Sequence, residues 1–133
     1  MIPVVRLLPG NQYDQTMLDL LFANRLYPTG LEFDRMDSYP ATADGIILVV
    51  PGRYWANYTR EIADTLARYR WVLGIRVGDE EDLFDIHHVP HSNARWWVQS
   101  PRTDRDYGSA RLFGVGFTPH FADLGAEPPD KTV

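Results

Sequence analysis

Apolar positions along the chain fall into short runs separated by proline, glycine and charged clusters, and the runs alternate between two spacings. Residues 2–8 are apolar and close on Pro9-Gly10, which predicts a first strand and a turn. Asp14 stands where a helix cap belongs, and Met17, Leu18, Leu21, Phe22 and Arg25 follow at helical spacing. Pro28 and Gly30 end that helix. Residues 31–45 are mixed: Leu31 and Phe33 alternate with charged residues as a short second strand would, and Asp37-Ser-Tyr-Pro40 reads as loop. Gly45-Ile-Ile-Leu-Val-Val-Pro51 is a continuous β-branched run without alternation, the pattern of a strand buried on both faces.

A helical stripe follows, with Trp55, Tyr58, Ile62, Leu66 and Tyr69 recurring every three or four positions across 54–69. Trp71-Val-Leu-Gly-Ile-Arg-Val77 is the next strand, so 45–77 predicts one strand–helix–strand unit with parallel strands. A weak helical turn around Leu83, Phe84 and Ile86, a strand over 95–99, a polar loop over 101–109 and an extended segment over 111–117 complete the series. The expected fold class is therefore α/β: a Rossmann-like open, mainly parallel sheet flanked by helices in three layers. Residues 1–125 form the domain, and the tail 126–133 reads as linker.

Composition narrows the function classes. With 133 residues the chain is long enough for one domain with its own core. No apolar run approaches the roughly 18 residues that span a bilayer, and the N-terminus lacks the basic start and long apolar stretch of a signal peptide. Without cysteine there are no disulfides or thiolate metal sites, which suits a cytoplasmic protein. A net charge of −5 argues against nucleic acid as a partner, since phosphate-backbone affinity needs clustered positive charge. Of the 13 basic residues only Lys131 is a lysine. A GC-rich genome explains that bias; arginines that grip phosphate or carboxylate bidentately explain it too.

Four constellations carry candidate chemistry. The turn Val50-Pro-Gly-Arg-Tyr-Trp55 lies where doubly wound folds bind ligands, at a strand's carboxyl end. It places Arg53 to meet an anion, although it matches neither GxGxxG nor a Walker loop, and a plain strand–helix turn has the same composition. Gly78-Asp-Glu-Glu-Asp82 directly follows a strand. Asp79 and Glu80, nearest the strand end, are the candidate catalytic carboxylates, as general base or hydroxyl ligand; capping the next helix is the alternative. Asp85, His87, His88 and His91 suggest a metal, but Pro90 breaks the helix that would align them, no zinc framework is present, and no metal site is assigned. Asp104-Arg-Asp106 matches the short DxD triplet of some glycosyltransferases, a pattern that also arises by chance. Tyr54 and Trp97 are candidate aromatic platforms for a substrate; Trp96 and Trp97 point to opposite faces of a strand, and aromatics also fill cores.

The stretch 45–119 resembles the N-terminal half of exostosin-like glycosyltransferases of bacteria and actinobacterial phages. The resemblance is carried by the order of Ile-Leu-Val-Val-Pro51, Arg-Tyr-Arg-Trp-Val-Leu73 before Gly-Asp-Glu-Glu81, Ala-Arg-Trp-Trp-Val-Gln-Ser-Pro101 and Arg-Leu-Phe-Gly-Val-Gly-Phe117. It implies two Rossmann-like halves in a GT-B arrangement, the first shaping the acceptor side and the second binding a nucleotide sugar. On that basis the chain is the acceptor-side domain, inactive alone and without a cofactor of its own. Its partners are a C-terminal donor-binding domain or subunit and a protein or glycan acceptor. Asp79 and Glu80 then line the cleft, and Arg53 and Arg102 contact phosphate or acceptor. A non-catalytic α/β module that binds a protein or a nucleotide-like ligand is the alternative. A flavodoxin-like or response-regulator-like domain is a third, weakened because no phosphoacceptor aspartate with a lysine partner is visible.

Overall fold

The computed structural model describes residues 1–7, 22, 30–89 and 93–113. Six strands form one sheet: β1 (Ile2–Arg6), β2 (Phe33–Met36), β3 (Gly45–Pro51), β4 (Trp71–Val77), β5 (Ala94–Gln99) and β6 (Arg111–Phe113). Every pairing is parallel, and the order is β2-β1-β3-β4-β5-β6. This is the open α/β sheet that the hydrophobic runs predict. The chain steps outward from β1 to β2 and then back across β1 to β3, so the strand order reverses between β1 and β3.

β3 and β4 form the longest ladder, in register from Gly45↔Trp71 to Pro51↔Val77. Every residue of β3 is buried, as the unbroken β-branched run requires. Alternate side chains divide the interior in two. Val5, Ile46, Leu48, Val50, Val72, Trp96 and Val98 pack on one side, under Ile62 and Leu66 of the covering helix, together with Phe84 and Tyr107. Val4, Ile47, Val49, Ile75 and Val77 face the other side, where Phe22, itself helical, meets Phe33 at 5.2 Å between ring centroids. The remainder of the expected helix after Asp14, and the tail 126–133, lie outside the described residues.

Two tryptophans lie over glycines of the neighbouring strand. Trp71 is the register partner of Gly45, and Trp96 that of Gly74. A Cβ on Gly45 would come within 2.0 Å of the Trp71 ring, and one on Gly74 within 2.6 Å of Trp96. Each glycine provides the flat ground that its ring needs.

The segment expected as one helix over 54–69 is broken. It comprises α1 (Gly52–Trp55), a 3-10 turn (Ala56–Tyr58) and α2 (Thr59–Leu66). The break lets Trp55 tuck toward the sheet while Tyr58 stays exposed against it, at 5.1 Å between rings. The helix stops at Leu66 because its last carbonyls find other partners. Asn93 Nδ2 donates to the carbonyls of Leu66 (3.3 Å) and Tyr69. Tyr69 leaves the helix, and its hydroxyl donates to the Pro40 carbonyl at 2.6 Å. The weak turn expected near Leu83 is a 3-10 turn one step later, Ile86–His88, with the Asp85 carboxylate accepting from His87 N at 2.9 Å. Among the described residues, no helix is long and apolar enough to cross a membrane.

Candidate site at the carboxyl ends of the strands

Arg76 interrupts the apolar run of β4, and its side chain is wholly buried. A guanidinium cannot lose its charge, so burial there demands counter-charges and acceptors. The acidic turn after β4 supplies them. Arg76 Nη1 pairs with Asp82 and donates to the Phe84 carbonyl at 2.9 Å, and Asp79 Oδ2 lies 3.6 Å away. The Tyr107 ring covers the guanidinium, with its centroid 5.4 Å from Cζ. Nε and Nη2 of Arg76 are buried without a hydrogen-bond partner among the described residues.

The geometry separates the four adjacent carboxylates. Asp79 turns inward: its Oδ1 accepts from Leu83 N at 2.9 Å and its Oδ2 from Phe84 N at 2.7 Å. Asp82 N donates to the Asp79 carbonyl at 3.0 Å, closing a turn with Glu80 and Glu81 at its exposed corners. Asp82 adopts a left-handed backbone (φ 57°), which aspartate tolerates better than most residues, and its Oδ2 accepts from Arg105 Nε at 3.1 Å. Asp79, expected to line the cleft as a base, thus has both oxygens engaged by backbone N–H groups and is 1% exposed. Glu80 is the member of the expected pair that reaches solvent.

Other strand ends join this network. A Cβ on Gly52 would come within 2.9 Å of both Arg76 Cγ and Asp79 Oδ2, so the first residue of α1 rests directly on the ion pair. Gly78 takes φ +61°, open to glycine, and its N–H donates to Oε1 of the buried Gln99 at the end of β5 (3.0 Å). Arg102 N donates to the Tyr107 hydroxyl at 2.9 Å. The loops after β3, β4 and β5 are therefore held together as one rim.

Arg53 and Tyr54 stand exposed on that rim, with Arg53 Nη2 4.0 Å from Glu81 Oε1. Arg102 is exposed and grips Asp104 through two bonds of 2.9 and 2.8 Å. That contact holds the Asp104 carboxyl below its usual range and raises Arg102. Asp106 Oδ1 accepts from Gly108 N at 2.8 Å, so the two aspartates of the DxD triplet serve different local bonds. Trp97 does not join the rim. It lies within β5 on the face opposite Arg76, against Phe113 and Arg111. His87 Nε2 donates to the Asp106 carbonyl at 2.8 Å, His88 lies 3.8 Å from Asp85, and His91 is outside the described residues. Among the described residues, no three histidine, aspartate or glutamate side chains converge as metal ligands.

Arg76, Gln99 and Arg105 carry no site role in the sequence pattern, while Gly52, Asp82 and Tyr107 fall within the turn, the acidic run and the aromatic set without a role of their own. One signal was available: a lone arginine in a strand buried on both faces requires a carboxylate close by, and the acidic turn begins three residues later. No protein-family model, curated protein or solved structure matches the chain.

Proposed function

We propose that this chain is the acceptor-side domain of a GT-B-type, exostosin-like glycosyltransferase, and that alone it binds its acceptor without transferring sugar. The parent reaction moves a sugar from a nucleotide-sugar donor to a protein or glycan acceptor. The supporting observation is the single rim built from the strand ends, which carries Arg53, Tyr54, Glu80 and Glu81 in solvent at the carboxyl edge of a parallel sheet. Ligands of open α/β sheets dock at that edge. Glu80 serves as the acceptor-hydroxyl contact, Arg53 and Arg102 orient anionic or hydroxylated groups, and Tyr54 offers a ring face. Asp79 acts as a positioning residue, fixing the turn on which Glu80 stands.

The engagement of Asp79 favours a second reading, a non-catalytic module for a protein or nucleotide-like ligand, because it leaves one fewer carboxylate for proton transfer. An amide-resolved NMR titration of the whole chain separates the two. Xylo-, manno- and gluco-oligosaccharides are expected to shift resonances within 52–55, 78–82 and 100–106, with binding weakened in Glu80→Gln. UDP-glucose and GDP-mannose are expected to leave those positions unmoved. Nucleotide-sugar binding at the rim, or silence toward every saccharide, overturns the acceptor-side reading.

A further inference from the structure

A cavity of about 280 Å³ lies apart from the rim, between the 3-10 turn Ile86–His88, the first half of β5 and residues 107–110. At roughly 30 Å³ per water it has room for about nine waters, or one small ring. Trp96, Tyr107 and Ile86 contribute apolar walls, while His87, Gly108 and Ser109 stand in solvent along it.

The walls are braced from outside the cavity. Trp96 is seated over Gly74 and tilted against Phe84, with ring centroids 5.8 Å apart. Tyr107 is fixed by Arg76 on its ring and by Arg102 N on its hydroxyl. The bond from His87 Nε2 to the Asp106 carbonyl ties the 3-10 turn to the loop before β6. Gly108, at φ +60°, presents no side chain there, and a Cβ would sit 3.8 Å from the His87 ring. Preformed walls spare a ligand the ordering that would otherwise weaken binding.

We propose that this cavity is a binding site for a single pyranose ring, free or at the end of a glycan. Such a ring has C–H groups for the edges that the otherwise buried Trp96 and Tyr107 rings leave open to the cavity, and hydroxyls for His87, Ser109 and the backbone beside Gly108. Among the described residues no carboxylate lines the cavity, so they supply no charge that would select an amine, and the exposed Arg95 at its edge adds a donor for hydroxyls. The assignment stands independently of the acceptor-side reading: Tyr107 braces the rim and walls the cavity, but Arg53, Tyr54, Glu80 and Arg102, the residues proposed to meet the acceptor, do not line the cavity.

The test is a titration of the whole chain with glucose, galactose and N-acetylglucosamine, followed by amide and indole NMR. Saturable shifts are expected at the Trp96 indole N–H and at the His87, Gly108 and Ser109 amides. Methyl glycosides binding as well as the free sugars assign the site to a chain-end residue; binding of the free sugars alone assigns it to those. Ser109→Trp should block the cavity and weaken binding about tenfold or more, and His87→Ala, which adds no bulk, should weaken it several-fold. Absence of saturable shifts into the millimolar range, shifts that persist in both variants, or shifts confined to 52–55 and 78–82 would overturn the proposal.

Discussion

Arg76 is the residue on which the strand-end rim depends. A buried ion pair adds little over well-packed apolar groups, but removing one partner strands the other charge in a poor solvent, at a cost of about 3–5 kcal/mol. Arg76→Met should therefore lower unfolding free energy in urea by about that amount, a large share of the roughly 5–15 kcal/mol typical of a domain. Adding Asp82→Asn should recover part of the loss, because the stranded charge goes with it; if the double variant is less stable than Arg76→Met, the pairing argument fails. At the opposite end of the sheet, Tyr39 is half-buried beside the buried Tyr69. Burial, and secondarily the neighbouring phenol, push the Tyr39 hydroxyl up to about 12 from an ordinary 10, and burial raises Tyr69 too against the opposing charge of Arg68. Both phenols hold their protons more tightly in the folded state than in the unfolded one. Their contribution is thus fully present below pH 10 and is lost as pH rises toward 12, where the unfolded chain ionises first. Urea midpoints should fall across that interval, and Tyr39→Phe should flatten the fall; an unchanged slope in the variant would count against Tyr39 as its source.

The strands owe their close contact to glycine as well as to apolar runs. Gly74→Ala drives a methyl into the Trp96 ring, which is buried and braced by Phe84, so it should cost about 1–3 kcal/mol. Gly45→Ala meets the Trp71 ring even more closely, but Trp71 is 40% exposed and can swing outward, so the smaller loss belongs to the tighter clash. Chemical denaturation of both variants decides the order, and a larger loss for Gly45→Ala would refute it. β3 and β4 were legible because strands buried on both faces leave nearly unbroken apolar runs. β2 was barely so: Phe33–Met36 exposes Asp34 and Arg35, and an edge strand need not hide both faces. The 3-10 break in the helix was hidden because Trp55 and Tyr58 keep helical spacing while only one of them turns inward. The position of the candidate site was readable, since a turn after a buried strand must fall at the sheet's edge. The division of labour within Asp79–Asp82 was not, because adjacency in sequence does not tell which carboxylate turns toward a buried arginine. Nor could spacing show that Tyr107 returns to that arginine, and Arg105 to its partner Asp82, from the loop after β5.

Across the whole molecule, cohesion is unevenly distributed. β3 and β4 have strand neighbours on both sides and pack between the two halves of the core, whereas β2 and β6 each have one neighbour among the described strands. On the β1–β3–β4 side a helix covers the sheet. In the described residues from β4 through β6 the connections contain one 3-10 turn and no α-helix. Beyond the β4–β5 ladder and the buried Phe84, Trp96 and Val98, that half is held by Arg76, its two aspartates, Tyr107, Arg105 and the Gln99–Gly78 bond. Such an arrangement predicts graded local opening rather than uniform protection. Native-state hydrogen exchange should find the slowest amides in β3 and β4 and the fastest strand amides in β2 and β6. Arg76→Met should do more than lower global stability. It should accelerate exchange in β5 and in 101–110 beyond the acceleration seen in β1 and β3, because the loop after β5 loses its buried tie to β4 through Tyr107. Equal acceleration in every strand would mean that Arg76 stabilises the fold as a whole without tying the β5–β6 side to the rest of the sheet.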